Sequence, residues 1–294
     1  MNRLSSHWHL LHPYTSLAVA GITALLAGAT VAGAAVAGAT VTGFHTDAPA
    51  AGLAIRSGLA MLLIQFSIGA SNDIFDRPFD ALAKPGKPLP SGQVRLSMAW
   101  TIWGLLIGGA VILAWPFGLL ALAVMLFGLG CGLAYNAGLK RTPLSWLPHA
   151  LAAPTILTWV WVIAGRPLQP LLWIYPLGLL LGPALNIANQ LAGAEAAQAS
   201  GERSLVHSLG VIRAQRLAAG LFLLAAVLMP FVAGRVAGAP VAAEVGQGLP
   251  WAIAGSALAV IFLVLAERGS RLALWPLGLG IGGLLAVGLQ LSLR

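Results

Sequence analysis

The sequence is poor in charge and in cysteine, and each shortage excludes a class of protein. Only 8% of its 294 residues are Asp, Glu, Lys or Arg, whereas a soluble domain carries about 25%. Because so few charged groups cannot cover the surface of a globule in water, a soluble domain is excluded. The single cysteine, Cys131, lies inside an apolar run, so a disulfide framework and a cysteine-based zinc site are excluded as well.

Hydrophobic residues make up 59% of the chain, and the mean hydropathy is +0.88. A helix needs about 20 apolar residues to cross a bilayer, and polar breaks divide the chain into runs of that order. The sequence therefore predicts an all-α, polytopic membrane protein with one transmembrane domain over residues 1–294. The nine predicted spans are 15–42, 50–71, 97–115, 117–136, 146–164, 170–189, 212–233, 249–266 and 272–292.

The formal charge of +8 comes from cations scattered between apolar runs rather than gathered on one face, which argues against a nucleic-acid partner. With the N-terminus in the cytoplasm, twelve of the 16 Lys and Arg residues fall in cytoplasmic segments. This bias predicts that the N-terminus lies in the cytoplasm. The membrane that we predict is a bacterial-type inner membrane. Cleavage of the first run as a signal peptide is disfavoured, because the run is longer than the usual apolar core of about 7–15 residues.

Three of the eight acidic residues lie close together at the inner end of the second span: Asp73, Asp76 and Asp80. Their i, i+3, i+7 spacing places them on one face of a helix, although Pro78 makes this less secure for Asp80. Carboxylates at this density repel one another unless a cation lies between them. Oxygen ligands of this kind suit Mg²⁺, which commonly bridges to substrate phosphates.

A proline-rich loop follows the carboxylates and carries Lys84 and Lys87. A diphosphate held by Mg²⁺ on one side and by ammonium groups on the other would be well neutralised. A second cationic stretch on the same predicted side, Tyr135–Pro143, follows the fourth span. Asn186 and Asn189 lie on the inner half of the sixth span, where polar residues usually face the bundle interior.

These stretches resemble the UbiA superfamily of intramembrane prenyltransferases. The residues from Asn72 to Gly92 match its first motif, Asn-Asp-x-x-Asp-x-x-x-Asp followed by a Lys-Pro-Leu-Pro-Ser-Gly loop. Tyr135–Pro143 resembles the cytoplasmic loop that supplies a basic residue for diphosphate binding, and His12–Thr15 resembles the usual entry into the first span.

The resemblance implies a helical bundle around a cytoplasm-facing cavity, in which a prenyl diphosphate ionises and alkylates a lipophilic acceptor, often an aromatic quinone precursor. It implies that Asp73, Asp76 and Asp80 are catalytic and bind Mg²⁺. The substrate-binding residues that we predict are Asn72, Lys84, Lys87, Tyr135, Lys140, Asn189 and Arg203.

The second acidic motif of the family is not reproduced. Its three Asp positions correspond to Gln190, Gly193 and Ala197, none of which offers a carboxylate. Glu195, Gln198 and Glu202 repeat the i, i+3, i+7 spacing and offer a shifted site, although Ser200-Gly201 would interrupt that helix.

Two other activities therefore stay open beside prenyl transfer. One is a non-catalytic protein that binds an isoprenoid diphosphate, and the other is an enzyme that ionises and cyclises its substrate. A transporter is disfavoured, because the sequence shows no inverted repeat.

Overall fold

The computed structural model describes residues 10–11, 13–36, 50–192 and 204–237. All regular secondary structure in this part of the chain is helical, and this part contains no strand. Its helices are α1 (Pro13–Val36), α2 (Ala50–Ala83), α3 (Leu96–Ala114), α4 (Gly118–Ala137), α5 (Leu147–Ile163), α6 (Ile174–Ala192), α7 (Leu205–Leu209) and α8 (Val211–Ala237). Short 3₁₀ helices cover Trp115–Phe117, Leu139–Arg141 and Gln169–Trp173.

Seven of the described helices overlap the first seven predicted spans, and α2 extends beyond its predicted end at residue 71 to Ala83. The eighth and ninth spans, and residues 37–42 of the first, lie outside the described residues. Within the described ranges, four apolar helical stretches are long enough to cross a membrane: Ala51–Ala83, Leu96–Ala137, Leu171–Leu191 and Val211–Met229. The second of these has 42 residues, roughly twice the length that a bilayer needs. The 3₁₀ turn at Trp115–Phe117 divides it, as the Trp-Pro pair predicts. The total of nine spans stays a prediction.

The chain divides into two compact units, residues 1–138 with 155–166, and residues 139–154 with 167–294. In the first unit, α2 packs against α1, α3 and α4. Its apolar core joins α2, α3, α4 and the second half of α5, with Met61, Phe117 and Trp159 among the buried side chains. In the second unit, α6 packs against α8 around Ile187 and Phe222.

Small polar residues inside the apolar helices bond to their own backbone. Thr23 Oγ1 donates to Val19 O at 2.8 Å, and Ser67 Oγ donates to Ile64 O at 2.7 Å. Because a membrane interior offers no water, such local bonds satisfy hydroxyl groups that would otherwise be costly to bury. Polar side chains that form hydrogen bonds between helices, rather than within one helix, therefore indicate where a functional site is to be sought.

Candidate active site

The predicted carboxylates lie on the last turns of α2. The predicted second span ends at residue 71, but the helix continues through Pro78 to Ala83, so the polar cluster is helical. Asp73 and Asp80 are buried, with side-chain exposures of 4% and 9%. Asp76 is partly buried on the same helix, one turn from each. The predicted shared face is thus confirmed for Asp80 as well, despite the proline between them.

Lys87 bridges the two buried carboxylates. Its Nζ donates to Asp73 Oδ1 at 2.8 Å and to Asp80 Oδ2 at 2.7 Å. The two aspartates are seven residues apart, about 10 Å along the helix axis. Both side chains therefore lean towards one point, and an ammonium group occupies that point. The sequence predicts both lysines of this loop as diphosphate ligands; the structure brings Lys87 to the carboxylates, whereas Lys84 is exposed.

The loop between α2 and α3 holds Lys87 in place through backbone turns and two apolar anchors. Lys87 N donates to Lys84 O at 3.0 Å, and Lys87 O accepts from Ser91 N at 3.0 Å. Leu89 and Val94 are buried at 3% and 2% exposure in a small core with Ile74 of α2. The loop is thus fixed against α2 by contacts that do not involve the Lys87 side chain.

The charge of Lys87 reflects two opposing effects. Burial lowers the pKa of its ammonium group, but the Asp73 and Asp80 carboxylates act in the other direction, and the net pKa is raised above 10.5. Lys87 is therefore a cation at neutral pH, and its positive charge balances carboxylates that would be costly to bury alone.

The carboxylate pair fits a divalent cation whose remaining ligands come from a substrate. Within the described ranges, no three His, Cys, Asp or Glu side chains group together as a metal site. Asp73 and Asp80 nevertheless converge on a position that a cation already fills. Because Mg²⁺ is usually held by one or two carboxylates together with phosphate oxygens and water, this pair is a suitable donor set.

A buried asparagine, whose role the sequence analysis missed, braces α4 against α2 beside the carboxylates. Asn136 Nδ2 donates to Ile68 O at 2.9 Å and to Ser71 Oγ at 2.8 Å. Ser71 directly precedes the Asn72-Asp73 pair. These two bonds therefore hold α4 against α2 just before Asp73. The sequence offers one signal for this role of Asn136, which is a polar residue at the end of an otherwise apolar helix.

In the second unit, Gln190 is the centre of a hydrogen-bond network. Its Nε2 donates to Ser145 Oγ at 2.8 Å and to Asn186 Oδ1 at 3.0 Å. Its Oε1 accepts from Val206 N at 3.1 Å, in the first turn of α7, where Ser204 accepts from His207 N as the N-cap. From its sequence, Gln190 is expected to correspond to an Asp position of the second acidic motif, and its neutral amide links three segments of the chain.

The other predicted residues are placed as follows. Asn72 and Tyr135 are partly buried in the first unit; in the second unit, Lys140 is buried within the 3₁₀ helix Leu139–Arg141, and Asn189 is exposed. The predictions for residues 193, 197 and 203, and for the shifted site over residues 195–202, lie outside the described residues.

Comparison with known proteins places these features in one family. The model of the UbiA prenyltransferase family matches residues 26–273. A digeranylgeranylglyceryl phosphate synthase from Natronomonas pharaonis is 28% identical over 245 residues, which cover 80% of each chain.

Solved structures agree on the fold. A UbiA homologue from Archaeoglobus fulgidus bound to GPP and Mg²⁺ has a TM-score of 0.70 at 17% identity, covering 98% of this chain and 99% of that one. The apo structure of a UbiA homologue from Aeropyrum pernix K1 has a TM-score of 0.64 at 19% identity, covering 96% and 98%. The predicted family is confirmed: this chain is an integral membrane protein that belongs to the UbiA prenyltransferase family.

Proposed function

We propose that this protein transfers a prenyl group from a prenyl diphosphate to a lipophilic acceptor within the membrane, in a reaction that depends on Mg²⁺. The observation that carries the proposal is the convergence of the Asp73 and Asp80 carboxylates on one point, which the ammonium group of the loop residue Lys87 occupies. Two buried carboxylates fixed in this way suit a metal–diphosphate complex, and the family description supports the choice of reaction.

The residues of the site divide the work of ionisation between them. Asp73 and Asp80 would hold Mg²⁺, which supplies positive charge to the leaving group when bound. Lys87 and the exposed Lys84 would neutralise the other diphosphate oxygens. The bond between the first prenyl carbon and the diphosphate oxygen breaks, both electrons leave with the diphosphate, and the acceptor forms the new bond and releases a proton.

We further propose that the site uses one metal ion. The carboxylates of the second family motif are absent from the sequence. Of the three positions concerned, only Gln190 lies within the described residues, and it bonds to Ser145, Asn186 and Val206. An amide in such a network offers no charge to a second metal. The loop lysines would then supply charge that a second ion otherwise provides.

The acceptor class rests on the relatives. The sequence predicts a lipophilic acceptor and favours an aromatic compound or quinone precursor, but the curated relatives are named digeranylgeranylglyceryl phosphate synthases. That name favours a prenylated glyceryl phosphate, whose free hydroxyl would be alkylated, over an aromatic ring.

The test is a transfer assay on the purified protein in lipid nanodiscs. Radiolabelled geranylgeranyl diphosphate is supplied with geranylgeranylglyceryl phosphate, with 4-hydroxybenzoate or without an acceptor, each with Mg²⁺ or with EDTA. We expect a Mg²⁺-dependent product with the glyceryl phosphate. Diphosphate release together with a cyclic prenyl product in the absence of an acceptor would instead identify a cyclase, and binding without turnover would identify the non-catalytic alternative. Equal product in EDTA would contradict the metal dependence.

A further inference from the structure

The position between Asp73 and Asp80 is filled by a cation of the protein itself. Lys87 Nζ lies 2.8 Å from one carboxylate and 2.7 Å from the other, so a metal ion held by the same two groups would coincide with the ammonium group. The two occupants exclude each other by volume and by charge. Any metal that binds there must first displace Lys87.

Displacement is possible without unfolding the loop. Leu89 and Val94 hold the loop to α2 through apolar contacts, and the backbone turn at Lys87 is closed by bonds to Lys84 and Ser91. The Lys87 side chain retains 24% exposure, and its four-carbon stem is flexible. The ammonium group is therefore free to leave the carboxylates while its backbone stays in position.

A metal ion alone gains little from this exchange. It would compete with an ammonium that is tethered, and therefore present at a high effective concentration, and it would leave that ammonium beside a new positive charge. A metal that arrives with a diphosphate provides the ammonium with a new partner, since phosphate oxygens accept its hydrogen bonds.

We infer that Lys87 acts as a built-in placeholder, which occupies the metal position between Asp73 and Asp80 until a metal–diphosphate complex displaces it and then bonds to the diphosphate. The inference rests on the proposed function and adds an order to it: free metal is kept out, and metal and diphosphate enter together. Lys87 is thus a binding residue with two successive partners, first carboxylate and then phosphate.

The test measures metal binding rather than activity. Mn²⁺ is titrated without diphosphate into the protein in nanodiscs and followed by electron paramagnetic resonance, for wild type, Lys87→Met and Lys87→Gln. The matched control is Arg95→Met, because Arg95 is an exposed cation of the same loop with no part in the proposed site. We expect Mn²⁺ to bind both Lys87 variants at least about tenfold more tightly than wild type, since each variant removes the ammonium charge that competes with the metal for the two carboxylates. Arg95→Met should match wild type.

The second titration uses unreactive geranyl thiodiphosphate with saturating Mg²⁺. Here we expect the opposite order, with both Lys87 variants binding at least about tenfold more weakly, because they lack the ammonium that neutralises the diphosphate. Adding Asp73→Asn to Lys87→Met should abolish the gain in Mn²⁺ affinity, which would assign that gain to this site.

The outcomes separate the two claims. If wild type binds the thiodiphosphate in a Mg²⁺-dependent manner but the Lys87 variants gain no Mn²⁺ affinity, the placeholder role is wrong and the proposed function stands. If wild type binds no thiodiphosphate with Mg²⁺, the proposed function itself is wrong. Melting temperatures within a few degrees of wild type show that the variants are folded.

Discussion

At the scale of single residues, an uncharged side chain, Asn136, joins α4 to α2 directly before the carboxylates. Asn136 makes two hydrogen bonds between α4 and α2 while nearly fully buried. Asn136→Ala should lower the free energy of unfolding by about 1–3 kcal/mol, because it removes both bonds and leaves a cavity. Thermal unfolding in nanodiscs measures this, with Asn189→Ala, the same change at an exposed site on α6, as the control. Equal melting temperatures for both variants would show that the brace carries no stability.

At Gln190 the question is whether a carboxylate introduced by substitution would bind a second metal ion. Gln190→Asp shortens the side chain and removes the two donors that reach Ser145 and Asn186. We expect a loss of about 1–3 kcal/mol in the free energy of unfolding and no gain in Mg²⁺ affinity. Thermal unfolding and Mg²⁺ titration in the presence of geranyl thiodiphosphate measure the two effects. The control is Gln190→Glu, which keeps the side-chain length. A second Mg²⁺ bound by Gln190→Asp would contradict the one-metal proposal.

The sequence predicts the chemistry of these residues better than their partners. Three carboxylates and two lysines in close succession are sufficient to predict a metal and diphosphate site. That Lys87 rather than Lys84 reaches the carboxylates depends on the turn over residues 84–94 and on its anchors Leu89 and Val94, which no short pattern specifies. The Gln190 network joins residues up to 45 positions apart, so it could only be seen in the folded chain.

At the scale of elements, α2 shows how a helix carries a site past a proline. Pro78 has no N–H to donate to Ile74 O, yet the helix continues to Ala83 and Asp80 stays in register with Asp73. From the sequence alone, this register is expected to be less secure beyond Pro78. The bridge from Lys87 to Asp80 and the loop core around Ile74 stabilise the last turns, which compensates for the missing bond.

Close packing of α6 against the start of α5 depends on glycine. A Cβ on Gly182 would collide with the backbone of Ala150. A Cβ on Gly220 of α8 would meet nothing within 4 Å. Gly182→Ala should therefore lower the free energy of unfolding by about 1–3 kcal/mol through overpacking, whereas Gly220→Ala should be neutral or stabilise by up to about 1 kcal/mol. Thermal unfolding of the two variants, Gly182→Ala and Gly220→Ala, tests this prediction. Equal melting temperatures would mean that α5 and α6 accommodate the added methyl group without loss of stability.

At the scale of the whole molecule, the orientation in the membrane stays a prediction from the distribution of cations. Cysteine labelling tests it in a Cys131→Ala background, where Cys131 is the only native cysteine. Ala83→Cys lies exposed at the end of α2, and Trp115→Cys lies exposed at the turn between α3 and α4. With the N-terminus in the cytoplasm, a membrane-impermeant maleimide should label position 115 in intact cells and position 83 only after the cells are opened. The reverse pattern would invert the topology.

The central claim is that Asp73 and Asp80 together hold the metal–diphosphate complex, and one measurement tests it most directly. This is kcat/KM for Mg²⁺-dependent prenyl transfer by Asp73→Asn and Asp80→Asn in nanodiscs, with Arg95→Met as the matched control and melting temperatures as the check on folding. Each aspartate variant should lose about a hundredfold or more, because charge stabilisation of the leaving group fails, and Arg95→Met should stay within about twofold of wild type. Folded aspartate variants that keep wild-type kcat/KM with unchanged Mg²⁺ dependence would contradict the account.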